Sequence, residues 1–331
     1  MAPSRMNLIP IESIDDPRVS DYANLRDVEL LQRAEMGLET SGENVPGDAP
    51  VHWRARENGG SAHRGLFMGE GELVVRRMID SPFEVRSVFL TPTRLKSIGD
   101  ALERLARVDT VVFDKTGGPV YVGARRGRSA VVGFNIHRGI LACGVRGEGT
   151  SVGRLLDRDG PLLVLEDLFN HDNIGSIFRN AAALAGTRAG VVLTEKCADP
   201  LYRKCIRVSV GNVLSIPFAR VESVEALSRA RGGAGAPAGG WELWALSPRG
   251  DAEPLRAAVE EVARARRAGA ARRVALMLGS EGPGLSASAM ACADRLVRIP
   301  MRRSHENVDS LNVAVAAAIA LHELGSAMEV E

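Results

Sequence analysis

Residues 161–182 read PLLVLEDLFNHDNIGSIFRNAA, and the architecture of the second half of the chain follows from them. Residues 162–165 are four consecutive apolar positions, which is typical of a short strand buried on both faces. A polar loop follows, and apolar residues then return at helical spacing from Ile174 to Leu184. We expect Asn173 to cap this helix, because an asparagine side chain can accept the free amides of a first turn. The stretch therefore predicts a strand, a loop and a covering helix.

The same order of apolar strand, turn and helix recurs towards the C-terminus. A second clear helical stretch runs from Leu255 to Arg267. Such alternation predicts a parallel sheet with helices on both sides, and ligands that bind beyond the carboxyl ends of its strands. We expect this domain to cover residues 151–331. Its further strands are predicted at 191–193, 243–246, 274–278 and 296–299.

Residues 1–150 have the pattern of a small mixed α/β domain. Helical spacing is found at 71–79 and 95–105, and β-branched or apolar runs predict strands at 85–90, 110–113 and 130–132. A polar, glycine-rich stretch at 37–62 predicts a flexible surface insertion. The domain boundary is expected in the glycine-rich and charged segment 144–160. A basic loop in this domain carries Arg125, Arg126 and Arg128.

Composition excludes several classes of protein. The 331 residues are 45% hydrophobic and 25% charged, as in ordinary globular domains, and the net charge of +1 gives little long-range attraction for a polyanion. The apolar run from Val313 to Leu321 is far shorter than the roughly 20 residues of a membrane span. The first residues fit neither a signal nor a transit peptide, so a cytoplasmic location is expected. Four cysteines without a C-x-x-C pair predict neither zinc nor disulfides.

The common nucleotide-binding signatures are absent from the sequence. Neither a phosphate-binding G-x-x-x-x-G-K-[ST] loop nor a complete dinucleotide fingerprint is found. Residues 111–117, VVFDKTG, are similar to the element that carries the phosphorylated aspartate of P-type ATPases. That function would also need membrane helices and nucleotide motifs, so a chance match at Asp114 is favoured over an aspartyl-phosphate enzyme.

Three segments at the ends of predicted strands carry the polar side chains of interest. The first, 165–181, contains Asn173 and Arg179. The second, residues 277–286, reads MLGSEGPGLS, and its glycines allow either a tight turn or close approach of a ligand to the backbone. The third, 299–319, begins IPM and ends DSLNVAVAAAI. Taken singly, each segment also has an ordinary structural explanation. The first is compatible with a surface arginine, the second with a tight turn, and the third with a well-capped core helix.

Taken in order, the three segments resemble a known family. N-x-G-x-x-x-R, L-G-S-E-G-x-G-L and I-P-M followed by S-L-N-V are similar to the three motifs of SpoU (TrmH) RNA 2′-O-ribose methyltransferases of the SPOUT superfamily. The motifs span residues 165–319. Residues 16–30 and 65–79 resemble the small substrate-recognition domain that many members carry.

The resemblance implies an α/β fold whose C-terminal segment forms a trefoil knot. It also implies S-adenosylmethionine as cofactor, no metal, an RNA substrate, and a homodimer that uses the last helix, expected at Ser310 to Leu324. Backbone groups in the second and third motifs would bind most of the cofactor. The residues implied are Leu246, Ser247, Leu278, Gly279, Glu281, Gly282, Ile299, Met301 and Leu311.

The implied chemistry is an in-line displacement: the ribose 2′-hydroxyl attacks the sulfonium methyl group and loses its proton, the bond from sulfur to the methyl group breaks, and neutral S-adenosylhomocysteine leaves. The resemblance assigns activation of the hydroxyl to Arg179. It implies that Asn173 and Asn312 orient polar groups in the site, and that Glu281 and Ser310 complete the set of catalytic residues. A guanidinium with a pKa above about 12 is a poor base. Anchoring the substrate phosphate and stabilising the developing oxyanion is physically easier for Arg179.

Some questions stay open from the sequence. Ribosomal RNA is favoured over transfer RNA because of the N-terminal domain, and a non-catalytic RNA-binding or assembly factor is the alternative. Arg125, Arg126 and Arg128 are the candidate RNA contacts, whereas the arginines at 264–273 fit a solvated helix face equally well. The modified nucleotide and the base preference are not encoded in any motif.

Overall fold

The structure is a computed structural model that describes residues 8–11, 17–22, 65–107, 120–123, 139–147, 149–232, 240–270, 272–301 and 310–328. The chain divides into two compact units, one up to Glu148 with Leu201–Arg203, the other Gly149–Pro200 with Lys204–Glu331. The expected insertion at 37–62, the strands at 110–113 and 130–132 and the basic loop at 125–128 lie outside the described residues. The roles assigned to the two parts stay predictions.

The first unit is a mixed α/β unit, as predicted. Its strands form a sheet of order β1-β4-β3-β5-β2, in which the β1-β4 and β4-β3 pairs are parallel and the β3-β5 and β5-β2 pairs are antiparallel. The two helices pack against each other. The elements are β1 (Leu8–Ile11), β2 (Leu66–Glu70), α1 (Glu72–Ile79), β3 (Glu84–Leu90), α2 (Pro92–Arg107), β4 (Val120–Gly123) and β5 (Ile140–Val145).

A parallel sheet forms the centre of the second unit. The strand order is β10-β12-β9-β11-β6-β7-β8, with every neighbouring pair parallel. The five strands expected from apolar runs are confirmed; β8 and β10 were not anticipated. The strands are β6 (Leu162–Leu165), β7 (Gly190–Thr194), β8 (Phe218–Val221), β9 (Trp241–Leu246), β10 (Glu253–Pro254), β11 (Arg273–Leu278) and β12 (Arg295–Arg298).

Helices cover both faces of this sheet. The helices are α3 (Val152–Leu156), α4 (His171–Leu184), α5 (Arg203–Val208), α6 (Val224–Ala230), α7 (Leu255–Arg267), α8 (Ala287–Ala291) and α9 (Val313–Met328). Both α3 and α8 pack on α6, and alternate strand residues such as Leu162, Val164 and Met277 form the core beneath them. Because side chains alternate along a strand, Leu163 and Leu165 face the opposite side, where α9 packs on α4 and α7.

Two expected helix starts are wrong by one turn or less. Asn170, not Asn173, caps α4: its Oδ1 accepts the backbone N–H of Asp172 at 2.8 Å, and Asn173 lies inside the first turn. The last helix begins at Val313, not Ser310, because Asn312 Oδ1 accepts the N–H groups of Ala314 and Val315 at 2.9 and 3.3 Å. Both corrections concern which polar side chain satisfies the free amides.

Candidate active site

The three motif segments follow strands that lie side by side in the second unit. Strands β12, β9, β11 and β6 are neighbours in that order and all parallel, so their carboxyl ends meet at one edge of the sheet. The segments after them are the ones that the sequence singled out. The motif segments therefore begin at the edge of a parallel sheet where ligands of such folds commonly bind.

Glu166 joins the first segment to the second. It directly follows β6, and its N–H donates to the carbonyl of Leu278 at the end of β11 at 2.9 Å. Its carboxylate accepts the backbone N–H of Ser286 at 2.8 Å and the Ser286 hydroxyl at 2.6 Å. Ser286 in turn caps α8 through its hydroxyl, which accepts the N–H of Ala289. These bonds fix both ends of the glycine-rich loop.

The glycine-rich loop folds back on itself at Gly279. A Cβ at Gly279 would lie 2.1 Å from the carbonyl carbon of Gly284 and 2.2 Å from the nitrogen of Leu285. The N–H of Gly284 donates to the carbonyl of Ser280 at 3.0 Å, and Gly282 and Gly284 have φ of 90° and 73°. Those angles favour glycine. The turn therefore presents backbone groups, and it carries Glu281, whose side chain is exposed, near its tip.

Asn173 and Asn312 bring the first and third segments into direct contact. Nδ2 of Asn312 donates to Oδ1 of Asn173 at 3.0 Å. Asn173 is only 6% exposed, and its own Nδ2 is buried without a hydrogen-bond partner among the described residues. An unpaired buried donor costs about 1–3 kcal/mol. The arrangement is therefore suited to a ligand that offers an acceptor oxygen at this point.

A pocket of about 200 Å³ opens beside β9 and β12. It is lined by Pro248, Gly250, Arg298, Ile299 and Met301. Two of the expected cofactor residues, Ile299 and Met301, thus line the pocket, and Ser247 precedes Pro248 in the chain. The pocket therefore lies beyond the carboxyl ends of β9 and β12, and the segments that follow both strands contribute to its lining.

The remaining predicted residues are placed as follows. Leu246 ends β9 and Leu278 ends β11, while Ser310 and Leu311 are exposed just before Asn312. Arg179 is exposed on α4, the helix that also carries Asn173, and among the described residues no hydrogen bond or ion pair joins it to Asn173 or Asn312. The next residue, Asn180, donates to the carbonyl of Ala314 at 2.9 Å and ties α4 to α9.

Sequence reasoning missed three positions: Glu166, Asn170 and Pro248. Glu166 could have been suspected because it directly follows a buried strand. Asn170 could have been suspected because it is an asparagine, and so caps a helix as well as Asn173 would. Pro248 carries no chemical signal. It is found only because the chain after β9 runs beside the chain after β12.

Several residues keep ordinary structural roles. Burial raises the pKa of the Cys197, Cys205 and Cys292 thiols, which stay protonated and are poor nucleophiles. Of the basic stretch at 264–273, Arg272 pairs with Glu242 at 3.0 Å and Arg273 donates to the carbonyl of Leu156 at 2.8 Å. Those two arginines stabilise the fold.

The residues that the structure describes contain no cluster of three or more His, Cys, Asp or Glu side chains arranged to hold a metal ion. Within the same residues, no helix combines the length and the apolar character needed to cross a membrane.

Comparisons with known proteins identify the class. The sequence model described as the SpoU rRNA Methylase family matches residues 160–322. A Mycobacterium tuberculosis protein named uncharacterized tRNA/rRNA methyltransferase is 34% identical over 311 residues, covering 93% of this chain and 88% of that protein. The 23S rRNA (guanosine-2′-O-)-methyltransferase RlmB of Bordetella pertussis is 27% identical over 256 residues, covering 76% of this chain and 92% of that protein. The chain belongs to the SpoU rRNA methylase family.

Solved structures agree on the fold. An rRNA methyltransferase from Sinorhizobium meliloti, crystallised with AdoMet, has a TM-score of 0.67 at 18% identity and covers 96% of this chain and 97% of its own. The SpoU methyltransferase AviRb from Streptomyces viridochromogenes, also with AdoMet, has a TM-score of 0.59 at 22% identity and covers 79% and 90%. The predicted SPOUT-type α/β fold is confirmed, and that fold implies the trefoil knot.

Proposed function

We propose that this protein is an S-adenosylmethionine-dependent RNA 2′-O-ribose methyltransferase, with ribosomal RNA favoured over transfer RNA. The observation that carries the proposal is the hydrogen bond between Asn173 and Asn312, which joins the first and third motif segments. Membership of the family supports the reaction type. The name of the Bordetella relative, which specifies a guanosine 2′-O position in 23S rRNA, supports the substrate class.

The cofactor would be held mainly by backbone groups after three strands. The turn at Gly279 and Gly282, the segment from Ile299 to Met301, and Leu246 with Ser247 offer amides and carbonyls at the sheet edge. Leu278, Glu281 and Leu311 complete the set. S-adenosylmethionine supplies an electrophilic methyl group when bound. No metal is needed for a methyl transfer of this kind.

The side chains then position and activate the ribose. Asn173 and Asn312 orient polar groups of the bound molecules, and Glu281 and Ser310 complete the polar lining. Arg179, which is exposed on α4, binds the substrate phosphate and stabilises the oxyanion that forms as the 2′-hydroxyl loses its proton. Alignment of the hydroxyl with the methyl group supplies much of the acceleration.

We propose further that two copies of the chain form a homodimer through α9. Leu311, Val315 and Ile319 are 39%, 49% and 36% exposed, and their spacing of four residues puts Val315 and Ile319 on one side of the helix. Such an apolar stripe is costly in water. The resemblance to the family supports a second copy as its partner, and a cytoplasmic location fits the RNA substrate.

The N-terminal part would contact RNA, and Arg125, Arg126 and Arg128 are its candidate phosphate contacts. A non-catalytic RNA-binding factor is the alternative function. It is disfavoured because the polar set Asn173, Arg179, Glu281, Ser310 and Asn312 is intact.

The ribose assignment can be tested directly. Alkali cleaves RNA through the free 2′-hydroxyl, so a 2′-O-methylated nucleotide resists cleavage. Unmodified ribosomal RNA is incubated with the protein and S-adenosylmethionine carrying a tritiated methyl group, and is then hydrolysed completely. Label in dinucleotides is the expected result. Label in mononucleotides would show methylation of a base and overturn the assignment.

A further inference from the structure

The side chain of Phe169 is unusually exposed for a large apolar group. It is 65% exposed, although aromatic residues are only 4% of the chain and other phenylalanines such as Phe67, Phe89 and Phe178 are buried. Phe169 lies in the loop between β6 and α4, at the sheet edge where the motif segments meet. An exposed large apolar side chain at such a place calls for a functional explanation.

The backbone before Phe169 is firmly held. Asp167 has a φ of 52°, a strained value for a residue with a side chain. Its N–H donates to Thr194 Oγ1 at 3.0 Å, and the same hydroxyl donates to Asp167 Oδ1 at 2.8 Å. The N–H of Leu168 donates to Cys197 Sγ at 3.3 Å, and the Leu168 carbonyl accepts the N–H of Ala198 at 2.8 Å.

The backbone after Phe169 is held as well. Asn170 caps α4, and its carbonyl accepts the N–H of Ile174 at 3.1 Å. Asn173, whose buried Nδ2 has no hydrogen-bond partner among the described residues, lies on the first turn of the same helix. The exposure of Phe169 is therefore a property of a fixed loop, and the ring is presented four residues before a residue of the site.

Two ion pairs involve residues next to Phe169 in the sequence. Lys196 pairs with Asp167 at 3.3 Å and Lys204 pairs with Asp172 at 2.7 Å, and the lysine side chains are 74% and 44% exposed. A loop with charged groups two residues before and three residues after the ring is a poor centre for an apolar protein interface. It fits a nucleobase, whose face stacks on the ring while neighbouring phosphates lie near the lysines.

We propose that Phe169 is a substrate-binding residue that stacks on an unpaired base of the RNA, next to the nucleotide that enters the site. This inference rests on the proposed function, since it deepens the description of the substrate. A target ribose must leave its helical stack to reach a pocket at the sheet edge, and a fixed aromatic ring replaces part of the stacking that the RNA gives up.

The test compares variants at Phe169 with a matched control. Loss of one base stack is worth about 1–3 kcal/mol, so Phe169→Ala and Phe169→Leu should each weaken RNA binding by about 5- to 140-fold. Phe169→Trp should restore binding, because it restores a flat ring. The control is Leu184→Ala, which removes another exposed apolar side chain, 36% exposed, from the last residue of α4. It should leave RNA binding unchanged.

Three readouts separate the outcomes: the RNA dissociation constant by filter binding, the affinity for S-adenosylmethionine, and the solution mass. Unchanged cofactor affinity and mass with weakened RNA binding support the proposal. If Phe169→Leu binds RNA like the wild type, or if Phe169→Ala changes only the mass, the proposal is overturned. If the wild type methylates RNA and Phe169→Ala binds RNA as tightly as the wild type, this inference alone is contradicted. Wild-type protein that binds the cofactor but no RNA contradicts the proposed function as well.

Discussion

Nδ2 of Asn312 donates a hydrogen bond of 3.0 Å to Oδ1 of Asn173, across 139 positions of sequence. The other end of the same Asn312 amide caps α9 through the N–H groups of Ala314 and Val315. One side chain thus joins the buried start of α4 to the start of the last helix. This hydrogen bond therefore holds the first and third motif segments together in the protein alone.

Replacing Asn312 should separate its two roles. Asn312→Ser keeps a good capping oxygen but is too short to reach Asn173, so it should lower the free energy of unfolding by about 1–3 kcal/mol. Asn312→Ala also removes the cap and should cost about 1 kcal/mol more. Urea denaturation measures both. A serine variant as stable as the wild type would show that the bond to Asn173 contributes nothing.

Gly279→Ala should disrupt the glycine-rich turn. The new Cβ would lie 2.1 Å from the backbone of Gly284, so the turn must open, at about 1–3 kcal/mol. Calorimetric titration with S-adenosylmethionine should show affinity reduced by about 5- to 140-fold. Gly153→Ala is the control, since its Cβ would meet nothing nearer than 4.0 Å. Equal affinities for the two variants would remove the turn from the cofactor site.

Arg179→Ala should abolish most methyl transfer while cofactor binding persists. The side chain is exposed, so stability should change by no more than about 0.5 kcal/mol. Loss of an oxyanion-stabilising group typically costs about 10²- to 10³-fold in kcat. Arg179→Lys keeps the charge without the planar fork and should recover activity only in part. Unchanged turnover in the alanine variant would exclude the assigned role.

Charges placed on the apolar stripe of α9 should separate the proposed dimer. The variants are Val315→Glu and Ile319→Glu, and each puts a carboxylate in the stripe. The replaced side chains are 49% and 36% exposed. Sedimentation equilibrium should show a dimer for the wild type and a monomer for the variants, because an unpaired charge is costly in a dry interface. Leu73→Glu, on α1, is the control. Variants with the mass of the wild type would contradict the proposed interface.

The basic loop predicts a change in the salt dependence of RNA binding. Arg125, Arg126 and Arg128 are changed together to glutamine, and the RNA dissociation constant is measured over a range of salt concentrations. Each lost phosphate contact should reduce the slope by about 0.7–0.9. A slope equal to that of the wild type would return these arginines to an ordinary surface role.

Patterns of apolar residues predicted the fold of the second unit well, because its central strands β6, β7 and β11 are almost wholly buried and the helices α4, α7 and α9 are long. The helix from Leu255 to Arg267 has the predicted first and last residues. Strand β8 was missed because Arg220 interrupts a short run; its guanidinium donates to the carbonyls of Cys197 and Ala198 at 3.0 and 3.1 Å. Strand β10 is two residues long.

The sequence predicted which segments contribute to the site, but not the hydrogen bonds between their residues. Motif order predicts Asn173, Gly279 and Asn312 in one site, and the structure joins Asn173 to Asn312 by a hydrogen bond. Local pattern could not tell which of Asn170 and Asn173 caps α4, since both have the same chemistry three residues apart. The bonds from Glu166 to Ser286 and from Asn312 to Asn173 depend on how distant strands pack, which spacing along the chain does not encode.

Calorimetric titration with S-adenosylmethionine, followed by tritiated-methyl transfer to unmodified ribosomal and transfer RNA, tests the central claim most directly. The account predicts saturable cofactor binding and transfer of label to RNA, with ribosomal RNA the better acceptor. Absence of cofactor binding would contradict the claim that this protein is a methyltransferase, and binding without transfer to either RNA would contradict its catalytic role.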